Sequence, residues 1–275
     1  MGEPEFEHPY DPYAEAYRDW WGPLLAPSAV RLLDRLDGLA PAHHAFDLVD
    51  IGTGTGSLAL AALERWPMAR VTGVDPSARM MEVAGAEARR RSASVADRLR
   101  LVKGAAGDLP VPDAAFDVAV SSFVIQLVPS RARALREAHR VLRPGGRFAC
   151  LTWQADDERF EPDEVLDDVL YDLSISLPER GPEPRPYVSP GAAAAELRKA
   201  GFSDVRARVE WLEHRYTPQG YVDMLQHWIE DDLFADLGIR RRRLLRARLL
   251  DEFERLDPEA FVWRRPLVSA VGVRG

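Results

Sequence analysis

The alternation of apolar runs with amphipathic segments is the dominant pattern of this chain. Between residues 46 and 153, short runs rich in valine, leucine and isoleucine alternate with segments whose apolar residues recur at helical spacing. Strands that alternate with helices predict βαβ units and a mostly parallel sheet. The sequence therefore predicts an α/β fold with a doubly wound, mostly parallel, seven-stranded sheet. The predicted strands are 46–51, 70–75, 99–103, 116–121, 147–153, 204–212 and 267–273.

The segments on either side of this alternation predict helices and insertions. Residues 1–40 have a helical pattern, with Ser28 as the predicted N-cap of a helix from Ala29 to Leu39. Residues 154–190 and 214–260 interrupt the later strands with acidic, proline-containing or helical sequence. Ligands of open α/β sheets bind at the carboxyl ends of the strands. We therefore expect a single domain, 1–275, in which these two insertions form a substrate lid at that edge.

The run Leu48–Gly56 indicates where a ligand binds. An apolar strand that carries an acid at position 50 leads into glycines at positions 52, 54 and 56, and a helical pattern follows from Ser57 to Arg65. Glycine tolerates positive φ and lets a ligand lie against bare backbone. The start of a helix offers unpaired N–H groups to a polar ligand. We expect this turn to hold a nucleoside-type cofactor; a glycine-rich turn without a ligand is the alternative.

The spacing of the glycines distinguishes between cofactors. A dinucleotide-binding turn has the pattern G-x-G-x-x-G, and Ser57 occupies the position of its third glycine here. A phosphate-binding P-loop needs Gly-Lys-Ser/Thr, which this turn lacks. The pattern G-x-G-x-G therefore argues against NAD and against a P-loop nucleotide.

Asp75, at the end of the second predicted strand, is a candidate ligand for the same cofactor. One carboxylate there can accept hydrogen bonds from both hydroxyls of a ribose seated on the glycine turn. The alternative is an acid that only stabilises a helix N-terminus, because Pro76 and Ser77 begin a helical pattern. Met80 follows on that helix, where it would pack against a base or belong to the core.

Composition excludes several classes of protein. The formal net charge of −8 argues against a general affinity for nucleic acid or anionic membranes. No apolar run approaches the roughly 20 residues of a membrane span, and the acidic N-terminus lacks a signal-peptide pattern. Cys150 is the only cysteine and lies in an apolar run, so we expect a core residue. A cytoplasmic protein without stable membrane association is expected.

Four motifs, in this order, resemble those of the class I S-adenosylmethionine-dependent methyltransferases. Tyr10-Asp11-x-x-Ala14-x-x-Tyr17 also resembles the N-terminal helix that closes over the cofactor in a subgroup, the ubiquinone/menaquinone-biosynthesis methyltransferases. The resemblance implies a Rossmann-like methyltransferase fold, with 41–153 as the cofactor-binding core and S-adenosylmethionine as the cofactor. The four motifs are Leu48–Gly56, Val74-Asp75, Leu109-Pro110-Val111-Pro112-Asp113-x-x-Phe116-Asp117 and Arg140-Val141-Leu142-Arg143-Pro144-Gly145-Gly146.

The same resemblance implies roles for individual residues. The glycines of the turn would run past the methionine part of the cofactor, and Asp75 would accept the ribose hydroxyls. Ser121 and Gln126 would lie beside the methionine part. The two tyrosines of the N-terminal motif would cover the cofactor, or alternatively only fix a helix to the core. The implied cofactor-binding residues are Tyr10, Tyr17, Gly52, Thr53, Gly54, Asp75, Pro76, Met80, Ala105, Ala106, Ser121 and Gln126.

The chain departs from the family pattern at one position. Four residues before Leu109, where the family usually has an aspartate that accepts the adenine amino group, this chain has Ala105. The backbone of Ala106 can still pair with the ring, but the side-chain hydrogen bond is lost. Asp108 would substitute for it only if the loop were shifted.

The predicted function is the transfer of a methyl group from S-adenosylmethionine to a small, largely apolar molecule. Two alternatives stay open: a protein that binds the cofactor but catalyses a non-methylating step, and a cofactor-binding subunit without catalytic activity. No catalytic residue is assigned, although His214, Tyr216 and His227 are candidates for a base. The sequence predicts a small-molecule partner, no nucleic-acid partner and no metal site, and it leaves the methyl acceptor and the oligomeric state open.

Overall fold

The computed structural model describes residues 8–36, 44–178 and 184–275. Parts of two predicted segments lie outside the described residues. These are residues 1–7 and 37–43 of the N-terminal region, with the predicted end of its helix at Leu39, and residues 179–183 of the first predicted insertion.

The chain divides into two compact units. Unit 1 comprises Met1–Ala155, Pro184–Glu210 and Pro266–Gly275, whereas unit 2 comprises Asp156–Glu183 and Trp211–Arg265. Unit 1 contains the glycine turn and the other residues implied to bind the cofactor. The lid role of the two insertions stays a prediction.

A seven-stranded sheet carries the predicted site. The first five strands in the chain pair in parallel, the first of them lying between the second and the fourth. The last strand runs antiparallel to the fifth, so the prediction of a mostly parallel, doubly wound sheet is confirmed. The strands are β1 (Phe46–Ile51), β2 (Ala69–Asp75), β3 (Leu99–Lys103), β4 (Phe116–Ser122), β5 (Leu142–Trp153), β6 (Phe202–Arg215) and β7 (Val262–Arg274), in the order β3-β2-β1-β4-β5-β7-β6.

Helices lie between most of these strands. The central strands are buried on both faces, as expected for a parallel sheet covered by helices, and Asp47 is the only residue of β1 that is not buried. None of the helices among the described residues is long and apolar enough to cross a membrane. The α-helices are α1 (Ala14–Ala16), α2 (Gly22–Leu33), α3 (Ser57–Arg65), α4 (Ala78–Arg91), α5 (Ala93–Asp97), α6 (Arg131–Val141), α7 (Glu161–Asp172), α8 (Pro190–Lys199), α9 (Pro218–Met224), α10 (Asp231–Asp236) and α11 (Ile239–Phe253); Tyr17–Trp21 and Leu225–Ile229 are π-helical, and Asp34–Leu36 and Pro258–Phe261 are 3₁₀ turns.

The order of the strands defines where a ligand can bind. From β1 the chain moves outward to β2 and β3, and it then returns to β4 on the other side of β1. At such a reversal, the loops after β1 and β4 diverge and leave a crevice at the carboxyl ends of the strands. The glycine turn follows β1, so the fold places it at this crevice.

The predicted N-cap at Ser28 is wrong. Ser28 lies inside α2, where it is buried, and its hydroxyl accepts a hydrogen bond from Arg31 at 3.0 Å. The helix begins at Gly22, with a proline in its first turn, a position that proline tolerates because the N–H of that turn has no helical partner. The prediction was wrong because the sequence alone does not distinguish a serine that is buried inside a helix, and bonds within that helix, from a serine at the N-cap.

The fifth strand begins earlier than predicted. It starts at Leu142 rather than at residue 147, and Arg143–Gly146 bulge from it where the register against β4 shifts. Phe116 pairs with Leu142 and Val118 with Arg147. The bulge places Gly145 at a φ of +78°, in the region that favours glycine.

Candidate functional site

Three glycines give the turn after β1 its shape. Gly52, Gly54 and Gly56 have φ values of +76°, +53° and +87°, in the region that favours glycine. The N–H groups of Gly52 and Thr53 both donate to the carbonyl oxygen of Val74, at 2.8 and 3.0 Å. These bonds fasten the turn to β2, and α3 begins directly after Gly56, as predicted.

The loop after β4 lies against one side of this turn. A Cβ atom added to Gly52 would lie 2.2 Å from Cγ2 of Val124 and 3.0 Å from its Cβ. At Gly54, an added Cβ would meet no atom of the described residues within 4 Å. The backbone at Gly54 is therefore open to a ligand. At position 52 only glycine fits, because any side chain would overlap Val124. Sequence reasoning missed Val124.

The carboxylate of Asp75 faces the glycine turn. It is buried at the end of β2, and its Oδ2 accepts the N–H of Gly54 at 2.8 Å. Its Oδ1 accepts the N–H of Ser77 at 2.9 Å, at the start of α4. Burial raises the pKa of Asp75, while these two hydrogen bonds oppose the shift. The acid thus orients both the turn and the helix start, and each oxygen retains a lone pair for a further donor.

Asp50 is a second buried carboxylate beside the turn, and sequence reasoning did not select it. Its side chain is 1% exposed, and Oδ2 accepts the hydroxyl of Thr53 at 2.9 Å. Its Oδ1 has no hydrogen-bond partner among the described residues. Burial, with a smaller contribution from Asp75, raises the pKa of Asp50 to about 7. The sequence did offer a signal, because Asp50 is an acid near the end of an apolar strand. Buried charges are normally paired, so an acid in such a strand indicates a partner of opposite charge or a hydrogen-bond donor.

The two tyrosines of the N-terminal motif lie near these carboxylates. Tyr10 and Tyr17 pack against a small buried cluster that contains Ala14 and Met80. Burial raises the pKa of Tyr17, and the charges of Asp75 and Asp50 add to the effect. The tyrosines therefore belong to the same site as the glycine turn, and Met80 takes part in their packing.

The loop after β3, which carries the predicted adenine-binding positions, is fixed by hydrogen bonds at both ends. The carbonyl oxygen of Ala105 accepts the N–H of Asp108 at 3.0 Å, and Ala106 is buried in the core. Leu109 is held at its N–H by Glu137, at 2.8 Å. The Asp108 side chain is 85% exposed and lies 3.9 Å from Arg133. The shifted loop that would let Asp108 replace the missing acid is not observed.

Ser121 and Gln126 lie at the same end of the sheet but have internal partners. The Ser121 hydroxyl donates to the carbonyl oxygen of Ile51, at 2.9 Å. The Gln126 amide donates to the carbonyl oxygen of Phe123 at 2.6 Å and accepts the hydroxyl of Thr152. Ser121 thus ties the end of β4 to β1, and Gln126 ties the loop after β4 to β5. Their predicted place beside the methionine part of the cofactor stays a prediction.

Three aromatic side chains form a wall at the carboxyl ends of β4 and β5. The ring of Trp153 lies 4.9 Å from that of Phe123 and 6.3 Å from that of Trp21, between centroids. Phe123 has a φ of +57°, which is uncommon for a bulky residue and marks a constrained position. Because Phe123 precedes Val124, this aromatic wall adjoins the glycine turn. Sequence reasoning did not identify it.

Unit 2 has an aromatic core of its own. Tyr216 packs against Phe160 and Tyr221, and the Tyr221 hydroxyl donates to Asp163. The His214 ring meets Tyr216 edge-on, with 4.3 Å between centroids, and burial lowers the pKa of His214. His227, the third candidate base, lies 3.4 Å from the side chain of Gln226. A catalytic role for these side chains has no support in this packing.

Comparison with known proteins identifies related sequences. A family model described as a methyltransferase domain matches residues 49–150. The chain is 36% identical over 179 residues to a ubiquinone/menaquinone biosynthesis C-methyltransferase from Methylobacterium nodulans, which covers 60% of this chain and 68% of that protein. It is 35% identical over 152 residues to the 27-O-demethylrifamycin SV methyltransferase of Amycolatopsis mediterranei, covering 51% of this chain and 55% of that protein.

A solved structure supports the fold. The chain is similar to a geranyl diphosphate methyltransferase solved with S-adenosylmethionine, with a TM-score of 0.54 and 18% identity. The match covers 100% of this chain and 93% of that one. At this identity the likeness shows the fold alone.

Proposed function

The chain belongs to the class I S-adenosylmethionine-dependent methyltransferases, and from this premise we propose that it methylates a small, planar, largely apolar ring compound. The family establishes the cofactor, S-adenosylmethionine, and the reaction type, methyl transfer to a small molecule. The alternatives of a non-methylating step and of a non-catalytic subunit are not favoured, since the related proteins are named as methyltransferases. What the proposal adds is the kind of substrate and the residues that bind both molecules.

The glycine turn and two buried carboxylates fit the cofactor. The open backbone at Gly54 would let the ligand lie against the turn, and Asp75 would accept the ribose hydroxyls with its remaining lone pairs. The unpartnered Oδ1 of Asp50 would accept the ammonium group of the methionine part, because a buried carboxylate is stabilised by an opposite charge. Tyr10 and Tyr17 would cover the ligand from the N-terminal segment.

Methyl transfer from a sulfonium requires mainly that the protein position the two reactants. When bound, S-adenosylmethionine supplies a methyl group that is already activated on a sulfonium centre. The side chains of this protein therefore have two tasks, to hold the acceptor in line with that group and to exclude water. A site without an assigned base is compatible with both.

The aromatic wall is the observation that carries the proposed substrate class. Trp21 and Trp153 are partly exposed and pack with the buried Phe123 beside the turn, and aromatic rings pair best with other planar rings in offset or edge-on contact. The relative from Methylobacterium nodulans is named for ubiquinone and menaquinone biosynthesis, and hydroquinones are planar compounds of this kind. We therefore propose hydroxylated ring compounds as acceptors.

Methyl transfer to such a ring tests the proposal. With methyl-labelled cofactor and 1,4-dihydroxynaphthalene as the probe, we expect labelled product and S-adenosylhomocysteine in equal amounts. Trp153→Ala should raise the KM for the probe about tenfold, because one aromatic contact contributes about 0.5–1.5 kcal/mol beyond its buried area. The affinity for S-adenosylhomocysteine should stay within about twofold of wild type.

A second tryptophan supplies the matched control. Trp211 is 43% exposed and is contacted by Arg264, and both belong to unit 2, whereas the aromatic wall belongs to unit 1, so Trp211→Ala should leave the KM unchanged. Equal KM values for wild type and Trp153→Ala would refute the aromatic wall as the substrate site. Transfer to straight-chain acids or amines, but to no ring compound, would refute the substrate class.

Restoring the missing acid tests the assignment of the adenine loop. Ala105→Asp should strengthen binding of S-adenosylhomocysteine several-fold, because it returns an acceptor to the adenine amino group and one such bond is worth about 0.5–1.5 kcal/mol or more when charged. Asp108→Ala should have no effect, since that side chain faces solvent. Calorimetric titration measures the Kd for S-adenosylhomocysteine in both variants. Weaker binding in both would show that residues 105–109 are wrongly aligned with the family pattern.

Charge and cysteine content bear on the compartment and the partners of the protein. The charge of −8 and the single, buried cysteine support a cytoplasmic protein that does not bind nucleic acid. These parts of the proposal concern the setting of the reaction and leave its chemistry unchanged.

A further inference from the structure

We infer that Asp11 is a positioning residue, which holds Tyr10 and the N-terminal segment 8–21 on the start of α4 and thereby slows release of the cofactor. The inference rests on the proposed binding of S-adenosylmethionine at the glycine turn. Asp11 would not touch the cofactor itself and would act on it through Tyr10 and Ser77.

Asp11 is a buried carboxylate that joins two distant parts of unit 1. It is 6% exposed, and its Oδ1 accepts the hydroxyl of Ser77 and, at 3.4 Å, the N–H of Arg79. Its Oδ2 accepts the N–H of His8 at 3.0 Å. One side chain therefore closes a turn within the N-terminal segment and binds that turn to residues 66 and 68 positions further along the chain.

The helix start explains why this contact is favourable. The first N–H groups of α4 have no helical partner and carry a partial positive charge, which a carboxylate stabilises. The Ser77 hydroxyl accepts the N–H of Met80 at 3.1 Å and donates a hydrogen bond to Asp11. Asp11 and Ser77 thus satisfy the N–H groups of Arg79 and Met80 in the first turn, and the helix gains part of its cap from a different segment of the chain.

The same serine links Asp11 to the cofactor site. The N–H of Ser77 donates to Asp75, while its hydroxyl donates to Asp11. A single residue therefore lies between the carboxylate that would bind ribose and the carboxylate that holds the N-terminal segment. The position of the segment and the position of Asp75 are set by one helix start.

The link between Asp11 and α4 also determines where Tyr10 and Tyr17 lie. Tyr10 adjoins Asp11 in the chain and packs with Tyr17 against Met80 and Val83 of α4. The ion pair of Glu15 with Arg79 also ties the segment to α4, but both side chains are largely exposed, and exposed pairs contribute little. Asp11 is therefore a buried polar anchor by which the segment keeps its tyrosines over the site.

The alternative is that Asp11 only stabilises the fold. In that case its loss would lower the melting temperature and leave the release of the cofactor unchanged. A positioning role instead predicts faster dissociation with little change in association, because an unlatched segment no longer has to open before the ligand leaves.

The test measures dissociation of S-adenosylhomocysteine by surface plasmon resonance. Asp11→Asn should raise the dissociation rate about tenfold, which corresponds to about 1.4 kcal/mol. Asp19→Asn is the matched control, because Asp19 lies in the same segment, is exposed and forms its ion pair with the adjacent Arg18; it should behave as wild type. Ser77→Gly removes the same bond from the other side and leaves a tolerated helix cap, so it should reproduce the effect.

A double variant separates positioning from independent binding. If Asp11 acts through Tyr10, the effects of Asp11→Asn and Tyr10→Ala on the dissociation rate overlap in the double variant. Fully multiplicative effects, or a dissociation rate unchanged in both Asp11→Asn and Ser77→Gly, would overturn the inference. Failure of the wild-type protein to bind S-adenosylhomocysteine would instead overturn the proposed function.

Discussion

Replacing Gly52 by alanine is expected to raise the Kd for S-adenosylhomocysteine at least about thirtyfold, which corresponds to about 2 kcal/mol. Two costs combine at this position. A residue with a side chain at a φ of +76° is strained by about 1–2 kcal/mol. The new Cβ would also overlap Val124, whose own Cβ lies only 3.0 Å away, so turning that side chain cannot remove the contact.

Relief of this overlap has to move backbone. Either the glycine turn or the loop that carries Val124 has to shift, and overpacking of this kind typically costs about 1–3 kcal/mol. Both movements change the surface on which the cofactor would lie. We therefore expect a lower free energy of unfolding together with weaker binding.

Gly145 supplies the control for strain alone. Its φ is +78°, and an added Cβ would meet no described atom within 4 Å. Gly145→Ala should lower the free energy of unfolding by about 1–2 kcal/mol and leave the Kd unchanged. Calorimetric titration and urea unfolding of both variants provide the comparison. A Gly52→Ala protein that binds as tightly as wild type would show that the turn is not the cofactor site.

The sequence predicts those features that depend on neighbouring residues. The helix from Ser57 to Arg65 and the strand Leu99–Lys103 have the predicted bounds, because glycine and the change from period 2 to period 3.6 mark such ends locally. Asp75 was recognisable for the same reason, since it ends a strand and precedes a helix start.

Features that depend on distant contacts were not predictable. Whether Asp50 Oδ1 finds a partner is decided by what surrounds it in the fold, and no local pattern encodes that. Trp21 and Trp153 meet although 132 positions separate them in the chain. The wrong cap at Ser28 has a related cause, because burial of that serine against the core outweighs its local preference for a helix end.

Replacing Asp75 by alanine is expected to weaken binding of S-adenosylhomocysteine by about 1.5–3 kcal/mol, the range for hydrogen bonds to a charged partner. The variant would lose the proposed acceptor of the ribose hydroxyls. It would also release the N–H of Gly54, now held at 2.8 Å, so that the turn itself becomes less ordered. Both effects act in the same direction.

Asp75→Asn distinguishes the two contributions. The asparagine keeps the shape of the side chain and one oxygen acceptor, but it loses the charge and the second acceptor. We expect an intermediate Kd. An affinity equal to that of Asp75→Ala would assign the whole effect to the charged bonds with ribose.

Isothermal titration of the wild-type and Asp75→Ala proteins with S-adenosylhomocysteine and with NAD tests whether the glycine turn and Asp75 bind S-adenosylmethionine. We expect the wild-type protein to bind S-adenosylhomocysteine and to give no heat with NAD. We further expect folded Asp75→Ala to bind S-adenosylhomocysteine at least about tenfold more weakly. Binding of NAD without a response to S-adenosylhomocysteine, or an unchanged Kd in the folded variant, would contradict this assignment of the site.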